Sequence, residues 1–531
     1  MVKLIMYIKL AFYAKFNWLR RHKMKKIVTL MLCLLVIACV FTSCNFNDLL
    51  AMIMTTTTTT TTATTTENGD NLGNDPEGDD NTNLSYPIKV NHSYELVETS
   101  GASHISDVSS ANFSVKTDKK PYEYKVGEDV VFTVSLMSGA KIVTCEKFHI
   151  TIKYDGIEEI TDIYISGETG KFELTTQVAQ PGYVMLNVEA CNDSRKAYSK
   201  ADVACGGAGA QIDELTPAVQ EPADFDTYWK NLISTEVMAI DPEIIQLEKF
   251  DSTSNHDYYY AKIKAVDDGA IYAAKGYTDR HDYASGILAI PKNADANSCK
   301  IVLDFDGHGV YTASVSEYLI DKNTIYFKVI AHSIDANVTS AQISSYKASV
   351  LSAYGLYYKK ATSPDEIYYR NMVLRDLQAA RFMKEYFGEG GEKAGLWNGT
   401  DFHIYGTSQG GFQTAAVAAL AEQVGVNVTY VKMARPWLCD IASYCTDTVT
   451  LIDTKFWPEG DPAVLSYFDS VFFARRIKCK ADVTVCLGDD TTTPTSVTKL
   501  YLALDCEKSF AITQNGDHGG AKTLNKEYKY K

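Results

Sequence analysis

The segment Gly406-Thr407-Ser408-Gln409-Gly410-Gly411 decides the fold of the C-terminal part of this chain. The residues before it, His403-Ile404-Tyr405, are typical of a strand end, and the alanine-rich stretch 412–422 after it is typical of a helix. A serine in a Gly-x-Ser-x-Gly turn between a strand and a helix is the arrangement of a nucleophile elbow. The flanking glycines are needed because a Cβ does not fit so tight a turn. The segment therefore predicts Ser408 as a nucleophile.

A serine hydroxyl becomes a nucleophile when a histidine accepts its proton and a carboxylate orients that histidine. Of the ten histidines only His518 follows Ser408, and it lies just after an apolar run, as a histidine at the end of a strand does. Hydrolases with this elbow place the acid and then the histidine after the serine. Asp489 and Asp490 both follow the apolar run 483–487, and spacing alone does not separate them. We predict His518 as the base and one of these two aspartates as the acid.

The sequence around the elbow alternates between strand and helix patterns. Short apolar runs at 301–305, 325–331 and 483–487 are suited to buried strands. An amphipathic helix is predicted after Pro364, with one apolar face formed by Val373, Leu377, Ala380 and Met383. This alternation predicts a mostly parallel sheet covered by helices, and together with the elbow it indicates an α/β-hydrolase fold for residues 206–531.

The first residues carry a targeting signal. The short basic segment Met24-Lys25-Lys26 precedes an apolar run over 27–40, which is of signal-peptide length. The run ends in Phe41-Thr42-Ser43-Cys44, which resembles a bacterial lipobox. We predict a lipoprotein signal peptide over 24–44, lipidation of Cys44, and an upstream extension over 1–23. The expected location is the bacterial cell envelope, on the outer membrane or the periplasmic face, held by the lipid anchor only. An ordinary signal peptide or an anchor helix is the alternative.

Two further regions precede the hydrolase domain. Residues 45–85 are rich in Thr, Asn, Gly and Asp, so they predict a disordered linker. Residues 86–205 show period-two alternation, for example in the apolar positions Val130, Phe132, Val134 and Leu136, with turn residues between the runs. This pattern predicts a small immunoglobulin-like β-sandwich. A spacer role is the default, and dimerisation and sugar binding stay open. The segment Gly206-Gly207-Ala208-Gly209 is interpreted as the joint between the two domains.

Composition excludes several function classes. The formal net charge is −15, so the chain offers no basic stripe for phosphates and nucleic acid is not expected as a partner. The twelve cysteines are scattered and form neither a CxxC pair nor a cysteine–histidine cluster with zinc spacing. No metal site is therefore predicted. Disulfide pairing among Cys145, Cys191 and Cys205 stays open.

With these residues assembled, the chain resembles the acetyl xylan esterase and cephalosporin C deacetylase family, carbohydrate esterase family seven. The likeness covers 206–531 and rests on ordered motifs, which are the stretch 222–229 (PADFDTYW), Tyr368-Tyr369-Arg370, the GTSQGG elbow, 435–440 (RPWLCD), 467–469 (YFD) with Phe473-Ala474, and 490–496 (DTTTPTS). The last of these is similar to the DxxCPPS motif of the family. Counting back from Pro494 places the family's catalytic aspartate on Asp490.

The resemblance implies a two-step removal of acetyl groups from small sugar esters, such as acetylated xylan oligosaccharides, without metal or cofactor. It also implies a homo-oligomer. The backbone N–H groups of Gln409 and His308 are the expected oxyanion donors. His308 takes the role of a tyrosine in the family, because the HGY motif is here Asp306-Gly307-His308. The family's RGQG segment is missing, and 329–332 (VIAH) stands in its place.

Two other functions compete with the esterase. A serine peptidase of the same fold would need a larger side-chain pocket and usually an additional lid or propeller domain, for which the sequence gives no signal. A non-catalytic surface protein that binds glycans through an esterase-like fold is the rival from a different class. The complete set of Ser408, His518 and Asp490 argues against the binding protein.

Overall fold

The structure is a computed structural model that describes residues 92–105, 110–154, 158–269, 281–310, 312–347, 361–445 and 461–530. These residues belong to one compact unit, Leu84–Lys531. The predicted extension, the signal peptide with Cys44 and the linker over 45–85 lie outside the described residues. No helix in the described ranges is long and apolar enough to cross a bilayer.

The N-terminal region consists of two sheets. The first contains the strands β1 (Ser93–Leu96), β2 (Ser103–His104), β3 (Asn112–Thr117), β4 (Asp129–Ser138), β5 (Lys141–Thr144) and β8 (Lys171–Gln177). The second contains β6 (Lys147–Tyr154), β7 (Glu158–Ser166), β9 (Gly182–Cys191) and β10 (Ala204–Ala210), in the order β10-β9-β6-β7. We call this pair of sheets the N-terminal sandwich.

The two sheets share one apolar core. The ring of Phe148 from the second sheet lies 5.9 Å from that of Phe113 and 5.2 Å from that of Phe172, both from the first sheet. In β4 and β6 buried and partly exposed side chains alternate, as the period-two pattern predicts. In β9 they do not, because Met185 is buried as well as its neighbours. Cys145, Cys191 and Cys205 are buried free thiols.

The glycine-rich segment 206–209 is not a joint, which corrects the prediction. It belongs to strand β10, which pairs with β9 along its whole length and is fully buried. A Cβ on Gly207 would lie 2.7 Å from the carbonyl oxygen of Val184 and 2.8 Å from that of Leu487. Glycine is therefore present because two backbones approach closely, and not because the chain must bend. The sandwich ends at Ala210, so the predicted boundary between 205 and 206 is wrong.

A ten-stranded sheet forms the centre of the C-terminal domain. Its strands are β11 (Ile244–Ser252), β12 (His256–Lys264), β13 (Tyr283–Pro291), β14 (Cys299–Phe305), β15 (Thr324–Val329), β16 (Trp397–Thr407), β17 (Tyr430–Ala434), β18 (Lys480–Cys486), β19 (Lys508–Thr513) and β22 (Glu527–Tyr530). A separate short hairpin is formed by β20 (Gly516–Asp517) and β21 (Gly520–Ala521).

The strand order is β11-β12-β13-β15-β14-β16-β17-β18-β19-β22. The six strands from β15 to β19 in this order pair in parallel, and antiparallel pairs flank them on both sides. The crossover that exchanges β14 and β15 places β14 beside β16, the strand that ends at the elbow. The α/β-hydrolase fold that the sequence predicts is confirmed.

Helices are packed between and around these strands. The α-helices with both ends among the described residues are α1 (Phe225–Leu232), α2 (Tyr368–Phe387), α3 (Gln409–Leu420), α4 (Pro462–Leu465), α5 (Ser470–Ala474) and α6 (Pro494–Ala503). Short 3₁₀ turns lie at Ile212–Glu214, Glu317–Leu319, Pro364–Glu366, Ala421–Val424, Ile441–Cys445 and Ser466–Phe468, and a π-helical turn at Ile233–Val237 follows α1. Helix α2 is the predicted amphipathic helix, but Arg375, Asp376 and Gln378 are buried as well as its apolar face.

A buried ion pair joins α6 to the segment 435–440, which follows β17. Removing its cation shows how much the pair contributes to the stability of the domain. Lys499 and Asp440 lie 2.5 Å apart, with side chains 6% and 0% exposed. We expect Lys499→Met to lower the free energy of unfolding by about 3–5 kcal/mol, because it leaves a carboxylate buried without its cation. Lys478→Met is the matched control, since its pair with Glu422 is 75% and 63% exposed. It should change stability by about 0.5 kcal/mol or less. Urea unfolding measures both, and equal losses would contradict the prediction.

Candidate active site

Ser408 lies in the sharp turn between β16 and α3, where the elbow motif predicts it. Its φ is 59° and its ψ is −122°, a backbone conformation that costs a residue with a side chain about 1–3 kcal/mol. Two hydrogen bonds hold the turn in place. Ser408 N donates to the carbonyl of Ala434 over 2.9 Å, and Trp437 N donates to the carbonyl of Ser408 over 2.9 Å. The surrounding structure therefore keeps the serine in a strained position at the end of the sheet.

The glycines of the elbow are required by contact with neighbouring backbone. A Cβ on Gly406 would lie 2.0 Å from the carbonyl oxygen of Gly410, and one on Gly410 would lie 2.3 Å from that of Phe305. No side chain fits at either position unless the backbone moves. Helix α3 can start directly beneath the serine only because these positions are glycine.

His518 lies at the tip of the hairpin formed by β20 and β21, with Gly519 as the second residue of the turn. Its Nε2 is 2.9 Å from Oγ of Ser408, and its Nδ1 is 2.9 Å and 3.2 Å from the two carboxylate oxygens of Asp489. A carboxylate only accepts hydrogen bonds, so Nδ1–H donates to Asp489 and Nε2 accepts from the serine hydroxyl. The structure thus brings together Ser408 and His518, as the sequence predicts, in the tautomer that general-base catalysis needs.

The assignment of Asp490 as the residue that orients His518 is contradicted by this geometry. The side chain of Asp490 is 59% exposed, and its carboxylate lies 3.7 Å from the ammonium of Lys153 in β6. Asp489 is fully buried, and its carboxylate accepts hydrogen bonds from Thr491 N at 2.9 Å and from Thr492 N at 2.9 Å. The hydroxyl of Thr492 donates to the same carboxylate over 2.7 Å. Asp489 is therefore fixed toward the imidazole.

The error comes from the length of one turn. Counting back from Pro494 by the family motif reaches Asp490, which assumes that the turn has the motif's length. In the structure the aspartate that faces His518 lies one residue further from Pro494, and the additional residue, Asp490, points outward. Burial distinguishes the two aspartates, and neither spacing nor the motif reports burial.

The two predicted oxyanion residues lie beside the serine. Gln409 is the first residue of α3 and is fully buried, at the helix end where backbone N–H groups favour negative charge. His308 lines the cavity above Ser408, and its ring packs edge-on against Trp437 at 5.5 Å. Burial lowers the pKa of His308 below its ordinary value, and a hydrogen bond with the Gln409 side chain opposes this only in part. The imidazole beside the reacting atoms is therefore neutral, and the two backbone donors stay a prediction.

Arg435 is a site residue that the sequence analysis did not single out. Its Nε donates to the carbonyl of His518 over 3.0 Å, and its own N donates to the carbonyl of Thr484 in β18 over 2.9 Å. Its φ of 47° is in the left-handed region. Through Arg435, the RPWLCD segment therefore links the hairpin that carries His518 to strand β18 of the central sheet. The resemblance already marked this segment, but only as a family motif.

A cavity of about 540 Å³ opens above the serine. Its wall combines polar, charged and aromatic side chains. The lining residues are Asp304, Phe305, Gly307, His308, Ser316, Tyr318, Lys328, Thr407, Ser408, Arg435, Trp437, Thr491, His518 and Gly519. Tyr318 stands out because 83% of it is exposed, whereas large hydrophobic side chains are mostly buried.

A buried group of charges supports the loop that carries His308. The ammonium of Lys328 lies 3.1 Å from the Asp304 carboxylate and 2.9 Å from that of Asp306. Asp304 also accepts hydrogen bonds from Ser316 Oγ at 2.6 Å and from Tyr326 OH at 2.6 Å. Burial disfavours the charged lysine, but the two carboxylates outweigh burial and raise its pKa. An ion cluster therefore stands where the family has the histidine of HGY.

The segment that replaces RGQG lies behind the cavity. Within 329–332 each residue is buried, and none is among the residues that line the cavity. Burial, with a further contribution from Arg375, lowers the pKa of His332 to about 3, so this imidazole is neutral. Its Nε2 donates to the carbonyl of Gly309 over 3.2 Å, and its Nδ1 accepts from Tyr368 OH over 2.8 Å. The segment thus supports the His308 loop and does not shape the cavity wall.

In the part of the chain that the structure describes, no group of three or more His, Cys, Asp or Glu side chains is arranged to hold a metal ion. The chemistry that the site's residues support on their own is nucleophilic attack by Ser408 with His518 as base and Asp489 as its orienting acid.

Comparisons with known proteins show which family the sequence matches. The sequence model of acetyl xylan esterase (AXE1) matches residues 209–531. Acetyl esterase Axe7A of Xylanibacter ruminicola is 24% identical over 320 residues, which is 58% of this chain and 66%, just under two thirds, of that relative. Acetyl xylan esterase 1 from Thermoanaerobacterium sp. is 18% identical, with a TM-score of 0.44, over 59% of this chain and 94% of that chain.

A second solved structure, the acetyl xylan esterase from Paenibacillus sp. R4, is 17% identical, with a TM-score of 0.44, over 58% of this chain and 94% of that chain. The family match extends over more than half of the chain and contains the serine, the histidine and both aspartates discussed above. The chain therefore belongs to the acetyl xylan esterase family.

Proposed function

We propose that this chain is a serine esterase that removes acetyl groups from acetylated sugars. The observation that carries the proposal is the imidazole of His518, which lies 2.9 Å from Ser408 Oγ and 2.9 Å from the Asp489 carboxylate at the wall of an open cavity. Membership of the acetyl xylan esterase family supports the acetyl group and the sugar as the two halves of the substrate. The sequence motifs that resemble those of cephalosporin C deacetylases support extending the proposal to other small acetyl esters.

The first half of the reaction is acylation. His518 Nε2 accepts the proton of Ser408, and Oγ attacks the acetyl carbonyl carbon. The carbonyl oxygen becomes an oxyanion, which the N–H groups of Gln409 and His308 stabilise in this proposal. The sugar oxygen then leaves with the proton from His518, and the acetyl group stays on the serine. Asp489 holds the imidazolium throughout.

The second half is deacylation. A water molecule takes the place of the sugar and donates its proton to His518, and its oxygen attacks the acetyl carbon. Collapse of this intermediate returns the proton from His518 to Ser408 Oγ and releases acetic acid, which ionises in water. The hydrolysis therefore balances as ester plus water giving alcohol plus acetic acid, and no redox partner is needed.

The cavity supports a small acyl group and a polar alcohol. Phe305 and Trp437 supply apolar wall near Ser408, and the segment 329–332, which replaces RGQG, lies behind the wall without widening it. The exposed ring of Tyr318 offers a flat face for an alcohol as broad as a sugar ring. We therefore place the acetyl group of the ester against Phe305 and Trp437, and its sugar toward Tyr318 at the open side of the cavity.

The cellular location is a proposal that rests on the sequence alone. The basic residues Lys25 and Lys26, the apolar run 27–40 and the lipobox ending at Cys44 support export and lipidation. The threonine-rich stretch at 55–66 would then act as a tether between the anchor and the enzyme.

The first test concerns the triad. Ser408→Ala and His518→Ala should each lower kcat for an aryl acetate by about 10⁴-fold or more, since triad members act as a unit. Asp489→Asn should cost about 10⁴-fold, because it destabilises the required tautomer. Asp490→Asn is the matched control and should change kcat by about fivefold or less, since it removes only an exposed ion pair.

Two outcomes would contradict this assignment. If Asp490→Asn lowers kcat more than Asp489→Asn does, the acid has been assigned to the wrong neighbour. If a fluorophosphonate probe does not label the wild-type protein, the site is not that of a serine hydrolase, and a glycan-binding role becomes the better account. The proposed esterase is labelled, and only through Ser408.

The second test concerns acyl size. A pocket closed around a methyl group discriminates by about 10–200-fold in kcat/KM for each methylene that meets its wall. Acetyl esters should therefore outperform butyryl esters of the same alcohol by at least about tenfold. Similar kcat/KM values for acetate, butyrate and hexanoate would exclude a deacetylase and leave a general serine esterase.

The third test concerns the anchor. Cys44→Ser should abolish fatty-acid labelling and release the protein from membranes, because acyl chains and not a spanning helix would hold it there. Cys39→Ser, inside the same apolar run, is the matched control and should leave labelling intact. Membrane retention of a wild-type protein that carries no lipid would instead favour an uncleaved N-terminal helix.

A further inference from the structure

We propose that two strands of the N-terminal sandwich, β3 and β10, position the catalytic base, because they hold the hairpin that carries His518. The contact is made by the side-chain amides of Gln514 and Asn515 and is called here the amide clamp. The family match begins at residue 209, so all of β3 and most of β10 precede it. The inference rests on the proposed function, since it concerns the efficiency of the same site.

Asn515 is the centre of the amide clamp. It is 1% exposed, and its Oδ1 accepts a hydrogen bond from Cys205 N in β10 over 3.2 Å. Its Nδ2 donates to the carbonyl of Phe113 in β3 over 2.8 Å and to that of Leu524 over 3.0 Å. The amide is therefore held in one orientation by both sheets of the sandwich and by the segment that follows the hairpin.

Gln514 makes a second, weaker set of contacts to the same strands. Its side chain is fully buried, and its Oε1 accepts from Gly207 N over 3.2 Å. Its Nε2 donates to the hydroxyl of Thr117 over 3.5 Å. Two consecutive residues at the base of the hairpin thus use backbone N–H groups of β10 that the pairing with β9 leaves available.

Strand β10 also touches the turn that carries Asp489. A Cβ on Gly488 would lie 2.4 Å from the Cβ of Cys205, and one on Gly207 would lie 2.8 Å from the carbonyl of Leu487. The two catalytic loops are themselves joined, because Leu487 N donates to Thr513 and Gly488 N to Gly516, each over 2.9 Å. Strand β10 of the sandwich therefore packs against both the turn that carries Asp489 and the hairpin that carries His518.

The hairpin needs this support from β10 because it is very short. It has only two residue pairs, Gly516–Ala521 and Asp517–Gly520, and a two-stranded hairpin is marginal in water by itself. The orientation of His518 therefore depends on what holds the hairpin's base, three residues away at Asn515, as well as on the hydrogen bond that Arg435 donates to its carbonyl. A misplacement of about 1 Å in a catalytic group costs about 10²-fold in rate. Gln514 and Asn515 are thus positioning residues, which touch neither substrate nor the reacting atoms.

The experiment uses the full chain with Asn515→Leu and Gln514→Leu, which both remove the hydrogen bonds of the amide. Leucine has the branched shape of asparagine and is slightly shorter than glutamine. Each should lower kcat for an aryl acetate, by about 10–100-fold for Asn515→Leu and less for Gln514→Leu, with KM changed by about twofold or less. The rate of fluorophosphonate labelling should fall in parallel. If the two residues had only a structural role, the variants would unfold at lower denaturant concentration, but the folded protein would not show a lower kcat at an unchanged KM.

Two matched controls separate positioning from general loss of stability. Gln378→Leu removes a hydrogen bond from an amide that is also 1% exposed but bonds to the carbonyl of Ile240, away from the sandwich. Ile165→Ala creates a cavity in the core of the sandwich at β7, the strand at the opposite edge of the second sheet from β10. Both should lower the midpoint of urea unfolding and leave kcat within about twofold of the wild type.

The proposal is overturned if folded Asn515→Leu and Gln514→Leu proteins keep the wild-type kcat, or if the controls lower kcat equally at equal loss of stability. If Asn515→Leu does not fold, Gln514→Leu decides, because it removes fewer and longer hydrogen bonds. A wild-type protein that is labelled at Ser408 but hydrolyses no acetyl ester contradicts the proposed function alone. The labelling rates of the variants still test the amide clamp in that case.

Discussion

A single imidazole must reach two partners at once, and this constraint governs the arrangement of the whole C-terminal domain. The two ring nitrogens of His518 each contact a partner at 2.9 Å, the serine on one side and Asp489 on the other. The three residues follow β16, β18 and β19, which lie close together in one parallel run. Parallel strands end at the same edge of a sheet, so loops that are far apart in sequence meet there. The fold brings the three loops close together, and contacts within and between the loops must then set the exact positions of the three side chains.

The positions of these loops are set largely by buried polar groups that form hydrogen bonds and ion pairs with one another. Asp489 accepts two backbone N–H groups and a hydroxyl, and Lys328 joins two carboxylates beneath the loop of His308. Such groups are costly to bury unless every partner is in place. Each network therefore tolerates little displacement. The polar interior around the site restricts the positions of its loops more tightly than apolar packing would.

The sequence was sufficient to predict the elbow and the base. Glycines at 406 and 410 have no other use in a strand–turn–helix segment, and His518 is the one histidine after Ser408. It was not sufficient to choose between Asp489 and Asp490, because the two are neighbours and only burial and the turn's length separate them. The glycines at 206 and 207 were misinterpreted for a related reason. A glycine that permits flexibility and one that permits close backbone contact are identical in sequence, and only the folded neighbours, Val184 and Leu487 at Gly207 and Gln514 at Gly206, show which applies.

The bond between Asn515 and Phe113 joins residues that are 402 positions apart along the chain. A ribosome that has made the sandwich and the elbow has still not made the hairpin, so the edge of β10 that faces Gln514 and Asn515 is uncovered during most of synthesis. Contacts of such long sequence separation form slowly and late. The nascent protein therefore carries its nucleophile long before it carries the base, and the strand that will support that base is left open to other chains in the meantime. Activity arises in one of the last folding events, when the two ends of the described chain close on each other.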